Sequence, residues 1–318
     1  MEEKALIMDI QRMSTEDGPG LRTTVFFKGC NLRCAWCHNP ESISHRKQIE
    51  WFSSRCIGCR TCDVSCQRKG LALSEKGMRI DRGKCILCEN CVRECPGNAM
   101  AVKGIEWQLD DLVKEVIKDE SYFGADGGIT ASGGEPLVQS EFVSAFFKRV
   151  KARGLHTALD TAGCVNWEVF ERVLPQTALV LLDLKFFDNK LHKRFTGVGN
   201  ELILRNAVHI GEHIRKNGSP ELWVRTPVIP DATGSAENIR SIGRFIDAHL
   251  LDVITRWELC SYNNLCKDKY ERLDMAWGFK DAELMPKQDM EELCAIARKC
   301  LRDPSIVTWS GATRLEGL

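Results

Sequence analysis

Short apolar runs recur along most of this chain, separated by stretches with helical spacing. The runs are TTVFFKG (Thr23 to Gly29), GGITASGG (Gly127 to Gly134), HTALDTAG (His156 to Gly163), LVLLDLKFF (Leu179 to Phe187), ELWVRTPVIP (Glu221 to Pro230) and VITRWELCSYN (Val253 to Asn263). Most are rich in β-branched and large apolar residues, which suit strands. Between them Leu109, Leu112, Val113, Val116 and Ile117 mark one face of a helix. Phe142, Val143, Phe146, Phe147 and Val150 mark another. Segments 238–249 and 288–302 carry similar patterns. Strands alternating with helices predict βαβ units and a parallel sheet. A doubly wound sheet fits, and so does a partial (β/α)6 TIM-like barrel with its chemistry at strand C-terminal ends.

Residues 50–103 break the alternation. They hold RCIGCRTCDVSCQ and KCILCENCVRECPG, each spaced C-x2-C-x2-C-x3-C. That is the bacterial two-cluster ferredoxin spacing, in which the fourth cysteine of each run ligates the other cluster. One [4Fe-4S] cluster is then expected on Cys56, Cys59, Cys62 and Cys95, the other on Cys66, Cys85, Cys88 and Cys91. Pro96 follows the second run, whereas Gln67 follows the first. Two zinc sites are the alternative. The expected organisation is a barrel of residues 1–49 and 104–318 interrupted by a ferredoxin-like insert at 50–103. Two fully ligated clusters suit electron transfer, with a structural role as the alternative.

Composition narrows the class. The 318 residues include 44 basic and 44 acidic side chains, so nothing argues for nucleic acid. No apolar stretch approaches membrane-spanning length, and MEEKALIMDIQR has no signal-peptide core, so a cytoplasmic location is expected. Sixteen cysteines in a reducing compartment point to metal. Five are scattered (Cys164, Cys260, Cys266, Cys294 and Cys300) and read as small buried apolar groups.

The remaining three, Cys30, Cys34 and Cys37, stand in GCNLRCAWCHNP. A cubane cluster has four irons to ligate, so three thiolates leave one iron open to a small molecule. A zinc site completed by His38 is the alternative. At the strand ends, SGGEP, LDTAG and LDLK bring glycines, Asp160, Asp183 and Lys185 toward one mouth. A single aspartate there is more often a helix cap, but three polar groups ending apolar strands suggest a site.

The C-x3-C-x2-C loop resembles the signature of radical S-adenosylmethionine (radical SAM) enzymes. DGPGLRTTVFFKGC (Asp17 to Cys30), CHNP (Cys37 to Pro40), LDTAG, LDLK and the arginine of WVRTPVIP resemble glycyl radical enzyme activating enzymes, over nearly the whole chain. The insert resembles their subgroup with extra clusters. The resemblance implies the partial barrel, three [4Fe-4S] clusters, SAM and a monovalent cation. It implies that Gly133, Gly134 and Glu135 meet the methionine amino group. Asp183, Leu184, Lys185 and Arg225 would contact the cofactor, and Asp160 and Asp183 would hold the cation. Trp36, Cys37, His38 and Asn39 would line the cofactor. Tyr262 matches the family's LPYHxLG run, but Asn263 stands where the histidine would be.

The implied reaction is reductive cleavage of SAM to methionine and a 5′-deoxyadenosyl radical, which takes the α-hydrogen of a glycine in a large partner enzyme. Asp17 is expected to meet the partner's glycine loop, with Lys185 beside the cleaved cofactor. An external one-electron reductant such as flavodoxin or ferredoxin is implied, and a monomer is expected. The rival readings are a radical SAM enzyme acting on a small molecule or peptide, and a pure electron carrier.

Overall fold

The computed structural model describes residues 4–314. Thirteen strands run in chain order: β1 (Lys4–Ser14), β2 (Arg22–Phe27), β3 (Gln48–Trp51), β4 (Leu71–Ser74), β5 (Gly77–Ile80), β6 (Met100–Lys103), β7 (Ile105–Gln108), β8 (Gly128–Gly133), β9 (His156–Thr161), β10 (Leu179–Asp183), β11 (Glu221–Val228), β12 (Ile254–Ser261) and β13 (Val307–Ser310). Nine form one sheet, in the order β13-β12-β11-β10-β9-β8-β2-β1-β7. From β2 to β13 every pairing is parallel, while β1 and β7 are antiparallel additions at one edge. The six expected strands are all present. The sequence reading missed the seventh parallel strand, β13, whose four residues VTWS are too short to give a pattern.

Strand order argues against the doubly wound reading. A doubly wound sheet reverses direction at a switch point. Here each parallel strand lies beside its predecessor and the order never reverses. Right-handed crossovers then place the intervening helices on one face. The helices Leu109–Val116, Ser140–Lys151, Trp167–Val173, Glu201–Asn217, Ala236–His249 and Lys287–Lys299 share one apolar core with that face, including Val25, Phe27, Ile129, Leu159, Val180, Leu182 and Val224. Phe142, Phe146 and Phe147 are fully buried, as their spacing predicts.

The other face has no helix from these crossovers, yet it is also buried. It is apolar at its base, with Ala158, Leu179, Leu181 and Trp223, and polar toward the strand C-termini.

The insert closes on itself. β3 and β6 pair antiparallel at its base, Gln48 opposite Lys103 and Trp51 opposite Met100. β4 and β5 form a hairpin. Two short helices, Thr61–Ser65 and Asn90–Arg93, each follow a left-handed residue, Arg60 at φ 59° and Glu89 at φ 62°. The repeat in the cysteine spacing is thus a repeat in backbone shape. Ile49, Cys62, Leu71, Met78, Ile80, Cys91 and Met100 form a small separate core. No helix among the described residues is long and apolar enough to cross a membrane.

Candidate active site

The cysteine loop leaves the C-terminal end of β2 and is pinned by backbone hydrogen bonds. Gly29 N donates to Ser42 O (2.7 Å), Arg33 N to Thr196 O (2.7 Å) and Ala35 N to Phe195 O (2.8 Å). The Asn31 amide donates to the Cys164 carbonyl. Burial pushes the Cys30 thiol up to about 12, and burial also raises Cys34 and Cys37. Three thiolates on one buried loop therefore need a compensating cation, which iron supplies. None of the sixteen cysteines is in a disulfide.

Gly133 and Gly134 are required by this loop. Gly133 has φ +113°, and a Cβ on it would lie 2.5 Å from Phe27 N and O. A Cβ on Gly134 would lie 2.3 Å from Gly29 O. The two glycines let the end of β8 press against the start of the cysteine loop, where Glu135 N donates to Gly29 O at 2.9 Å.

The Glu135 side chain does not face an open site. It is fully buried and accepts hydrogen bonds from Thr161 Oγ1 (2.8 Å), Ala162 N (3.0 Å) and Leu137 N (3.1 Å). It clamps the turn after β9. Burial raises its pKa to about 7, against the three donors that favour the charge. Any cofactor contact from this residue falls to its backbone. Leu184 is similar: its side chain belongs to the helix-side core, while its N–H donates to Arg225 O (2.9 Å).

The polar groups meet on the helix-free face. Period-two alternation puts Ser132, Asp160, Asp183, Arg225, Glu258 and Cys260 on that side of successive strands. Asp183 is opposite Arg225, and Arg225 is opposite Glu258. Arg225 lies 3.7 Å from Asp160 and 3.6 Å from Glu258. Ser132 Oγ donates to Asp160 (2.6 Å), and Lys185 Nζ pairs with Asp183. Burial raises Asp160 to about 6, opposed by Arg225 and aided by Asp183. Burial works against the Lys185 ammonium, but Asp183 and the Cys34 thiol outweigh it and raise its pKa. Lysine, arginine and carboxylates thus stand together beside the cysteine loop. Such a row can orient a zwitterionic ligand with one carboxylate and one amine.

Ser132, Glu258 and Cys260 were missed in the sequence, although alternation from Asp160 and Arg225 leads to them. Asp17 reaches the same face, where its charge is felt at Asp160. Its carboxylate accepts hydrogen bonds from Ser14 Oγ (2.5 Å) and Thr24 Oγ1 (2.8 Å), which tie the N-terminal turn to β1 and β2.

Trp36 lies in an aromatic cluster with Phe186, Tyr262, Tyr270 and Trp277 that packs against Cys34. His38 is 5.9 Å from the Tyr262 ring, and its buried Nε2 has no protein partner. Asn39 Oδ1 accepts from Lys269 Nζ at 2.8 Å. Asn263 Oδ1 accepts from Leu265 N at 3.2 Å, which fixes the turn after β12.

The insert gathers its eight cysteines into two groups. Cys66, Cys85, Cys88 and Cys91 line one cavity, and Cys56, Cys59, Cys62 and Cys95 line a second. These are the interleaved sets that the spacing predicts. The thiols surround a space and do not converge on a point. Among the described residues no three His, Cys, Asp or Glu side chains are placed to hold one metal ion. Four thiols around one cavity are a donor set that a cubane cluster could use.

The chain is similar to known proteins over most of its length. The model of the radical SAM superfamily matches residues 24–240. The chain is 35% identical over 285 residues to the (2S)-3-sulfopropanediol dehydratase activating enzyme of Klebsiella oxytoca, covering 88% of each chain. It is 36% identical over 305 residues to the indoleacetate decarboxylase activating enzyme of Tractidigestivibacter scatoligenes, covering 92% of this chain and 94% of that one. It is 34% identical over 292 residues to the trans-4-hydroxy-L-proline dehydratase activating enzyme of Clostridioides difficile, covering 91% and 94%. Among solved structures, Streptococcus suis SuiB bound to precursor peptide SuiA shares the fold, with a TM-score of 0.51 at 12% identity over 89% of this chain and 46% of that one. The chain belongs to the radical SAM superfamily, in the branch of glycyl radical enzyme activating enzymes. Membership implies a [4Fe-4S] cluster and SAM.

Proposed function

We propose that this protein activates a large glycyl radical enzyme by installing a radical on one of its glycines. The observation that carries the reading is the three-thiol loop set against the buried polar row. Bound to Cys30, Cys34 and Cys37 with one iron open, a [4Fe-4S] cluster supplies the electron that splits SAM into methionine and a 5′-deoxyadenosyl radical. The residues orient and seal. Lys185 and Arg225 offer cations for the methionine carboxylate, and the carbonyls at Gly133–Glu135 suit its amine. Asp160 and Asp183 balance those cations and would hold a monovalent cation. Trp36, His38 and Asn39 would line the cofactor, and Asn263 would offer its amide to the adenosyl group. The aromatic cluster excludes water from Cys34.

The helix-free face is buried without helices, and the strand order steps one way, which supports a sheet curled into a partial (β/α)6 barrel with this face inside. The two cysteine cavities support a ferredoxin-like insert with two further [4Fe-4S] clusters. An external one-electron reductant would feed them. The test is electron paramagnetic resonance after anaerobic mixing of reduced protein, SAM and a candidate partner. A doublet signal on the partner, lost when its glycine is replaced, is expected. Cofactor cleavage with no radical on any candidate, but with a small molecule consumed, contradicts the reading.

A further inference from the structure

One stretch, Cys266–Trp277, touches both the insert and the cysteine loop, and beyond the shielding of Cys34 by Tyr270 and Trp277 the proposed chemistry makes no use of it. On the insert side Asp274 Oδ2 accepts from Ile80 N (2.9 Å) and pairs with Arg79 (3.2 Å). Arg82 Nη2 donates to Leu273 O (2.8 Å), and the Arg272 guanidinium lies 4.5 Å from the Phe52 ring centre. Arg82 connects this network to the cavity lined by Cys66, Cys85, Cys88 and Cys91, the inner centre on this path. It bonds to the carbonyl of Ile49, which lines the Cys66, Cys85, Cys88 and Cys91 cavity, and it feels the Cys85 charge.

On the loop side the Tyr270 hydroxyl donates to the Cys37 carbonyl (2.8 Å). Lys269 Nζ donates to His38 O (3.1 Å) and meets Glu41 (3.1 Å). Within the stretch Leu273 N donates to Tyr270 O (3.2 Å), and Tyr270 stacks on Trp277 with ring centres 4.9 Å apart and planes 9° apart. A continuous path of covalent and hydrogen bonds therefore runs Arg82, Leu273, Tyr270, Cys37.

We propose that Cys266–Trp277 is the bridge coupling the insert's inner centre to the N-terminal cysteine loop, with Arg82 and Tyr270 as its end contacts. The proposal rests on the reading that the insert holds clusters. A bonded path couples two electron sites better than a gap of the same length, and it fixes their separation. The step is a single electron: the inner four-iron centre is oxidised by one and the N-terminal cluster reduced by one. No proton moves and no bond changes. The external donor, a reduced ferredoxin or flavodoxin, restores the inner centre. Tyr270 is a positioning residue, buried to 5% exposure and held at both ends.

The experiment uses reconstituted holoenzyme, wild type, Tyr270→Phe and Arg82→Gln. Each is mixed with reduced flavodoxin and freeze-quenched, and paramagnetic resonance follows the SAM-sensitive cluster separately from the insert clusters. Tyr270→Phe keeps the ring stack, and iron content checks that each variant is intact. With iron content unchanged and the insert signals rising at the wild-type rate, the SAM-sensitive signal is expected to rise about tenfold more slowly, the lower end of what losing an outer-shell partner costs at a metal site. A wild-type rate in both variants overturns the bridge, as does a slower rise fully explained by a shifted midpoint potential. Four irons per wild-type chain would instead overturn the cluster reading of the insert.

Discussion

Asp183 and Arg225 are register partners on adjacent parallel strands, and the same row continues to Glu258 on the next strand. Opposite charges alternate across the strand ends in this row, on the one sheet face that these helices leave free. The row lies beside the cysteine loop because Gly133 and Gly134 let β8 approach it.

Removing Lys185 should be costly. Lys185→Met leaves Asp183 without its cation in a largely buried site, and stability should fall by up to about 3 kcal/mol. SAM affinity, measured by equilibrium dialysis on the reconstituted protein, should fall with it. Unchanged thermal stability and affinity would show that the pair contributes to neither.

Gly134→Ala should damage the site through geometry. Its Cβ would sit 2.3 Å from Gly29 O, so the cysteine loop must shift. A loss of about 1–3 kcal/mol in denaturant unfolding is expected, together with poor cluster incorporation at the N-terminal site. Insert clusters should be unaffected.

The interleaved assignment gives a counting test. Replacing Cys66 and Cys85 together should remove one cluster, about four irons. Replacing Cys66 and Cys56 together should remove two. If each run held its own cluster, the two results would be exchanged.

Glu135 predicts a pH dependence. Its folded pKa is raised to about 7 from 4.5, so the folded state holds the proton more tightly. Its contribution to stability is therefore fully present below about 4.5 and is lost as pH rises through about 7. In Glu135→Gln that component of the stability–pH profile should vanish. A wild-type profile that is flat across this window and instead rises with pH below about 4.5, by an amount the Gln variant lacks, would place the carboxylate's pKa below its unfolded value.

Much of this was legible in the chain because it is local. Six strands announced themselves as apolar runs, and the cysteine sets follow from spacing alone. What was not legible depends on tertiary contact. β13 is four residues long, and only pairing with β12 makes it a strand. Tyr270 and Trp277 sit in the polar run KDKYERLDMAWGFKD, where no period marks them as buried. Glu135 stands beside two conformationally necessary glycines, and only the fold shows that its carboxylate turns inward to Thr161. Glu258 and Cys260 were hidden in a strand read only for its apolar members.

Everything proposed for the N-terminal cluster requires that three protein thiolates leave one of its irons open. That requirement is tested most directly by paramagnetic resonance of the reduced protein with both insert clusters removed by cysteine replacement, recorded with and without SAM labelled at its methionine amine and carboxylate. A changed signal with resolved coupling to the labelled atoms is expected. A signal indifferent to SAM, with a protein side chain detected on the fourth iron, would contradict the requirement.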